Sequence, residues 1–263
     1  MNLPTYQEWI KEQYWTDNHY ISGILPCHPG DYILLAGKSG IGKSVMATHL
    51  CFSIATGTPF LGFQTESATV GYAAFEGSTA NLKDRLIQIA ANYPTTGDRF
   101  RFNLLDPVPL EGNRDKYLKM FDECKVVVLD NLRQVTRGKY LDPAYAADFI
   151  KTLQALLNEL GAVAVITHHI KKASDAYLVE PGDLFALKGA TEYADAATTV
   201  LLMEYKRQQY DYQKKKFGKK DKDKVMLYFA KTRVSKEELS PMELIRNRIH
   251  CSFDLSPDLS EDE

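Results

Sequence analysis

Apolar residues recur along this chain in two rhythms. Short continuous runs at residues 32–36, 69–75, 125–129 and 162–167, valine-rich and bounded by polar residues, have the length and composition of strands buried on both faces. Between them the period lengthens to that of a helix. Residues 146–160 set Phe149, Leu153, Leu156, Leu157 and Leu160 on one stripe that Gly161 ends, and residues 45–56 read as a helix closed by Gly57. Strands alternating with helices imply an α/β fold, a mostly parallel central sheet flanked by helices. Past residue 183 the pattern changes. Residues 198–203 and 225–230 read as strands joined by a lysine-rich stretch, 206–224, and predict an antiparallel C-terminal extension of the sheet. At the start, residues 4–14 predict a helix with Trp9, Ile10 and Tyr14 on one face, leading into residues 21–26. The chain divides accordingly into an N-terminal docking segment (1–28), one α/β domain (29–255) and a tail (256–263). That tail carries Asp258, Glu261, Asp262 and Glu263 with almost nothing to bury, so it is expected to be disordered.

Composition narrows the class without choosing a function. With 44% hydrophobic residues, 25% charged residues and a net charge of -2, the 263-residue chain resembles an ordinary globular protein, and its overall charge is silent about nucleic acid. No apolar run approaches the roughly 20 residues of a bilayer span, and Met1 is not followed by a signal-peptide core. A cytoplasmic protein with no membrane partner is expected. Cys27, Cys51, Cys124 and Cys251 are widely separated and form no CxxC pair, which argues for buried reduced thiols rather than a zinc site or disulfides.

The chemistry is concentrated at strand ends. Gly37-Lys38-Ser39-Gly40-Ile41-Gly42-Lys43-Ser44 fits G-x-x-x-x-G-K-[ST] and lies between a predicted strand and a predicted helix. Such glycines let backbone N–H groups point at a phosphate, and the helix that begins there, with Val45 in its first turn, presents its positive end to the same group. Lys43 then reaches the β- and γ-phosphate oxygens, and the Ser44 hydroxyl is placed to ligate Mg2+, so ATP is the expected ligand. The run Val126-Val127-Val128-Leu129-Asp130 ends in a carboxylate suited to holding the same metal through water. A strand ending in an acid is common; pairing with the glycine loop makes this one informative. Val70 to Phe75 leads to Glu76, a candidate for orienting the attacking water and accepting its proton. His168 and His169 follow the run 162–167, where a side chain is able to touch the γ-phosphate, and no nearby Cys, Asp or Glu has zinc-ligand spacing.

Taken together, these residues resemble the RecA/DnaB/KaiC superfamily of P-loop ATPases, and within it the small RepA-type hexameric helicases of plasmids. Ile21-Ser22-Gly23-Ile24-Leu25-Pro26 resembles that group's lead-in to the phosphate loop, and Pro59-Phe60-Leu61-Gly62 with Glu76 and Arg85 resembles its second-strand region. The stretch His168-His169-Ile170-Lys171-Lys172 is similar to a His-His sensor, with His169 where DnaB-like proteins carry glutamine. Asp183-Leu184, Gly189-Ala190-Thr191-Glu192 and Ala194-Asp195 resemble the stretch after the DNA-binding loop of DnaB, and Lys231-Thr232-Arg233 matches the Lys-x-Arg pair.

The resemblance implies a RecA-like core with ATP between subunits of a ring: Lys231 and Arg233 reach the ATP of a neighbouring copy, and Arg233 acts as an arginine finger worth roughly 10³ to 10⁵ in rate. It further implies a homo-oligomer, most simply a hexamer, acting on single-stranded DNA as a replicative helicase of a plasmid, phage or mobile element. Loops 132–144 and 171–188 then line the centre, where Arg133, Arg137, Lys139, Lys171, Lys172 and Lys188 are candidates for phosphate contacts. Lys214, Lys215, Lys216, Lys219 and Lys220 belong to the strand connection, and the acidic tail is a candidate docking peptide for a protein partner. A filament-forming recombination mediator and a KaiC-like regulatory ATPase that ignores DNA share the same core and stay open as alternatives.

Overall fold

The computed structural model describes residues 19–256 apart from 105, 107, 172–180, 190, 208–209, 212–215, 218–219, 236 and 248–250. The helix expected at 4–14, Lys172 and the acidic residues from Asp258 onward lie outside the described residues, as do Lys214, Lys215 and Lys219. The first elements are a small antiparallel pair, β1 (His19–Ile21) and β2 (Leu25–Pro26), which buries Ile21, Ile24 and Leu25 completely.

Central to the chain is a nine-stranded sheet in the order β13-β12-β11-β8-β3-β7-β6-β4-β5. Its parallel part comprises β3 (Tyr32–Gly37), β4 (Val70–Ala74), β5 (Phe100–Leu104), β6 (Val126–Asp130), β7 (Val163–His169) and β8 (Thr199–Arg207). After the short pair β9 (Tyr210–Asp211) and β10 (Lys216–Phe217), β11 (Lys220–Thr232), β12 (Met242–Asn247) and β13 (Ser252–Leu255) add antiparallel strands. The antiparallel extension therefore starts at β11; β8 itself runs parallel to β3, because its apolar stretch Val200 to Met203 is buried in the middle of the sheet.

Alternation along β3 divides the interior. Tyr32, Leu34 and Ala36 face one core layer, while Ile33 and Leu35 face the other. The first layer is closed by α5 (Pro143–Leu160), α3 (Arg114–Met120), α4 (Leu132–Val135) and α6 (Glu192–Ala196), the second by α1 (Lys43–Thr56) and α2 (Thr79–Ala90). Helix α5 starts where Asp142 accepts hydrogen bonds from the Ala144 and Tyr145 N–H groups, and it stops at Gly161 in the left-handed conformation. Phe149, Leu153, Leu156 and Leu157 of its predicted stripe are buried, and Leu160 is half-buried at the end. Cys51 and Cys124 are buried, but Cys27 and Cys251 are only half-buried; all are free thiols. No described helix is long and apolar enough to cross a membrane.

Register decides where chemistry is possible. Gly37 pairs with His169 on one side and Met203 on the other, and Ala74 pairs with Asp130. The loops that follow these parallel strands thus emerge on one edge of the sheet, where ligands of open α/β folds bind.

Candidate nucleotide site

A cleft of about 360 Å³ opens on that edge, lined by Ser39, Gly40, Gly42, Lys43, Ser44 and Val45 of the glycine loop together with Glu76, Asp130 and His169. Gly40 and Gly42 have φ of 78° and 113°, a conformation natural to glycine alone. At Gly37 a Cβ would lie 2.9 Å from the Met203 carbonyl oxygen, so the loop leaves β3 only because nothing projects there. The N-terminus of α1 has no capping side chain and no acid in its first turn, which leaves its N–H groups and positive end directed at the cleft. Gly37, Lys38 and Ile41 form the underside: Ile41 is buried in the core, and the Gly37 and Lys38 carbonyls accept hydrogen bonds from Lys43 Nζ at 3.0 and 3.1 Å. Lys43 also donates to His169 Nδ1 at 3.4 Å. Burial pushes the Lys43 ammonium down to about 8, against the opposing pull of Asp130 and Glu76. Burial, reinforced by Lys43, likewise lowers His169, so its ring is the neutral acceptor that this contact requires.

The acids sit at adjacent strand ends with different supports. Both oxygens of Asp130 accept hydrogen bonds, Oδ2 from the Tyr72 hydroxyl at 2.7 Å and Oδ1 from the Thr167 hydroxyl. These fix the carboxylate at the cleft floor. Glu76 lies two residues beyond β4, exposed, and its Oε1 accepts a hydrogen bond from Gln134 Nε2 at 2.6 Å. Gln134 belongs to α4, which Leu132 and Val135 anchor in the core, so a rigid turn holds the end of Glu76. A hydroxyl and a carboxylate make a hard-oxygen donor set, and with an uncapped helix end they fit a magnesium-bound polyphosphate.

A family model described as an AAA domain matches residues 4–175, which include the glycine loop, both acids and the histidine pair. The chain belongs to the AAA domain family. Its fold is shared with solved DnaB-like and KaiC-like structures. The ATPase domain of G40P is 13% identical with a TM-score of 0.65, and the match covers 95% of each chain. A DnaB-like replicative helicase, solved for its interactions with primase, is 14% identical with a TM-score of 0.62 over 95% of this chain and 66% of that one. A KaiC-like protein from the hyperthermophilic archaeon Pyrococcus horikoshii is 14% identical with a TM-score of 0.57 over 97% and 96%. No curated protein matches the chain significantly.

In this AAA domain chain, Lys231 and Arg233 do not join the cleft. Thr232 pairs with Thr199, and Thr199 with Ile33, which is four residues before Gly37 on β3 and thus about 13 Å away along the strand. The pair therefore occupies the opposite edge of the sheet. There Lys231 Nζ donates to the Ala194 and Asp195 carbonyls at 2.6 and 2.7 Å, and Arg233 Nη2 donates to the Asp195 carbonyl at 2.8 Å. These contacts satisfy carbonyls at the end of α6.

Several residues reach the site without a sequence motif to announce them. Arg246 of β12 lines the cleft and donates to the Gly40 carbonyl at 2.8 Å, Tyr205 donates to the same oxygen at 3.3 Å, and the Phe253 ring abuts Gly42. Strands β8, β12 and β13 thus brace the glycine loop from outside. Arg85, quoted for its resemblance alone, also lines the cleft. Arg246 is 206 residues from its partner Gly40, so no local spacing links them.

Proposed function

We propose that this chain is the subunit of an ATP-hydrolysing ring, most simply a hexamer, that moves on single-stranded DNA and opens duplexes as a replicative-type helicase of a plasmid, phage or mobile element. The observation that carries the reading is the division between two sheet edges: a nucleotide cleft on one, and a Lys-x-Arg pair on the other that is too far away to serve its own cleft. A head-to-tail ring joins the two kinds of edge at every interface. Within the cleft, Lys43 and the loop amides hold the phosphates, and Glu76, steadied by Gln134, orients the attacking water and accepts its proton. Ser44 and Asp130 would hold Mg2+, which neutralises charge on the phosphate oxygens. Arg233 of an adjacent copy would stabilise charge that develops during transfer.

Support for a nucleic-acid substrate comes from the loops after β6 and β7, which leave the sheet beside the cleft and expose Arg133, Arg137, Lys139, Lys171 and Lys188. The similarity to a KaiC-like protein supports a second reading, a regulatory ATPase that switches protein partners. Turnover measured on the oligomer with and without single-stranded DNA separates them. A severalfold rise, with unwinding of a forked duplex, is expected of the motor; unchanged turnover favours the regulatory ATPase, and stimulation with filaments but no unwinding favours a recombination mediator.

A further inference from the structure

Phe185 is 72% exposed, yet the backbone around it is firmly held. It occupies a single turn, Leu184–Ala186, in which the Asp183 carboxylate accepts from the Phe185 N–H at 2.8 Å and the Asp183 carbonyl from the Ala186 N–H at 3.0 Å. The turn is tied to the end of β7. Lys171 N–H donates to the Ala186 carbonyl at 2.7 Å, Lys188 N–H donates to the His169 carbonyl at 3.1 Å, and Ile170 pairs with Leu187. Buried Ala186 and Leu187 anchor the segment from below, which leaves the ring of Phe185 outside, on the same paired segments as the exposed Lys171 and Lys188.

The neighbouring loop repeats the combination. Lys188 Nζ lies 5.8 Å from the centre of the Tyr140 ring, and the next residue, Leu141, is 59% exposed. Arg133, Arg137 and Lys139 are exposed on the same loop. Since the chain as a whole has a net charge of -2, this concentration of cations is local. Beside Phe185 a cavity of about 420 Å³ is lined by Lys171, Leu184, Leu187 and Ala230, ample for a planar ring.

Resting on the proposed single-strand motor, and going beyond its phosphate contacts, the geometry points to Phe185 as a base-stacking residue: its ring takes the face of an unpaired base while Lys171 and Lys188 take the flanking phosphates. Lys171 and Lys188 attract a polyanion, although Asp183 and Asp195 also line the cavity, and an exposed aromatic face selects one whose bases are bare, as a single strand's are and a duplex's are not.

Binding of a labelled oligothymidylate, and of a strand of equal length with abasic sugars, is compared by fluorescence anisotropy on the full chain at one salt concentration, with Mg2+ and a non-hydrolysable ATP analogue. The intact protein is expected to prefer the base-bearing strand by about tenfold. Phe185→Ala should bind both strands at the abasic level, and Phe185→Tyr should keep the preference. Equal binding of the two strands by the intact protein overturns the stacking role and leaves the motor standing, as does a preference that survives in Phe185→Ala. If Phe185→Ala dissociates the oligomer in sedimentation, the ring's occupant is a neighbouring copy and the assignment to a base falls. Failure to bind either strand overturns both the assignment and the motor.

Discussion

Lys43 illustrates how a candidate phosphate-binding residue is held in place at the scale of one side chain: its ammonium rests on the Gly37 and Lys38 carbonyls and on His169, all of them neutral. Lys43→Ala should abolish nucleotide binding in calorimetry while the circular dichroism spectrum is preserved. Glu76→Gln, by contrast, should bind nucleotide normally but turn it over roughly 10² to 10⁴ times more slowly, since an amide accepts no proton. His168 provides a prediction in pH. Its Nε2–H donates to the Lys188 carbonyl, and burial lowers its pKa from 6.5 to about 4. Between those values the unfolded chain takes up a proton that the folded chain refuses, so stability falls as the pH falls through that window. The loss amounts to about 3 kcal/mol at its lower end. Denaturant titrations of His168→Gln should show a shallower acid decline than the unaltered chain; parallel declines would contradict the buried neutral ring. Lys43, Ser44 and Asp130 were legible in the sequence because each stands in a contiguous pattern. Tyr72, Thr167 and Gln134 were not, because a tyrosine or threonine in a strand or a glutamine in a one-turn helix gains its meaning only from a carboxylate brought to it by the sheet.

The same distinction operates among elements. Strands β3, β4, β6 and β7 are central, covered on both faces, and therefore appear as unbroken apolar runs. Edge strand β5 alternates half-buried and exposed residues, and β12 and β13 are short and partly exposed, so no comparable run marks them. Helix α1 is buried almost all round and lacks a stripe; its ends were readable only from the glycines at 42 and 57. The missed strands matter, because β12 and β13 support the phosphate loop. Gly42→Ala would strain a φ of 113° and place a methyl 2.6 Å from the Phe253 ring. It should lower stability by about 1 to 3 kcal/mol in denaturant titration and weaken nucleotide binding. Adding Phe253→Leu should recover part of the loss, and no recovery would show that the β13 contact is not what constrains the loop.

For the whole molecule, the organising fact is that the glycine-loop cleft and the Lys231–Arg233 pair lie on opposite edges of one sheet. No property of a single strand reveals this; it follows from β8 running parallel to β3 while β11 returns antiparallel, which carries Lys231 and Arg233 away from the cleft. The family match and the helicase-like and KaiC-like folds agree with a shared core, and the loops beside the cleft decide between their uses. Two inactive variants test the division directly. Arg233→Ala subunits retain their own Glu76, and Glu76→Gln subunits retain their own Arg233. A mixed oligomer therefore contains some interfaces with an intact cleft facing an intact Arg233. ATP turnover of the mixture should rise well above that of either variant alone; turnover that stays at the sum of the two would contradict a cleft completed by the neighbouring copy.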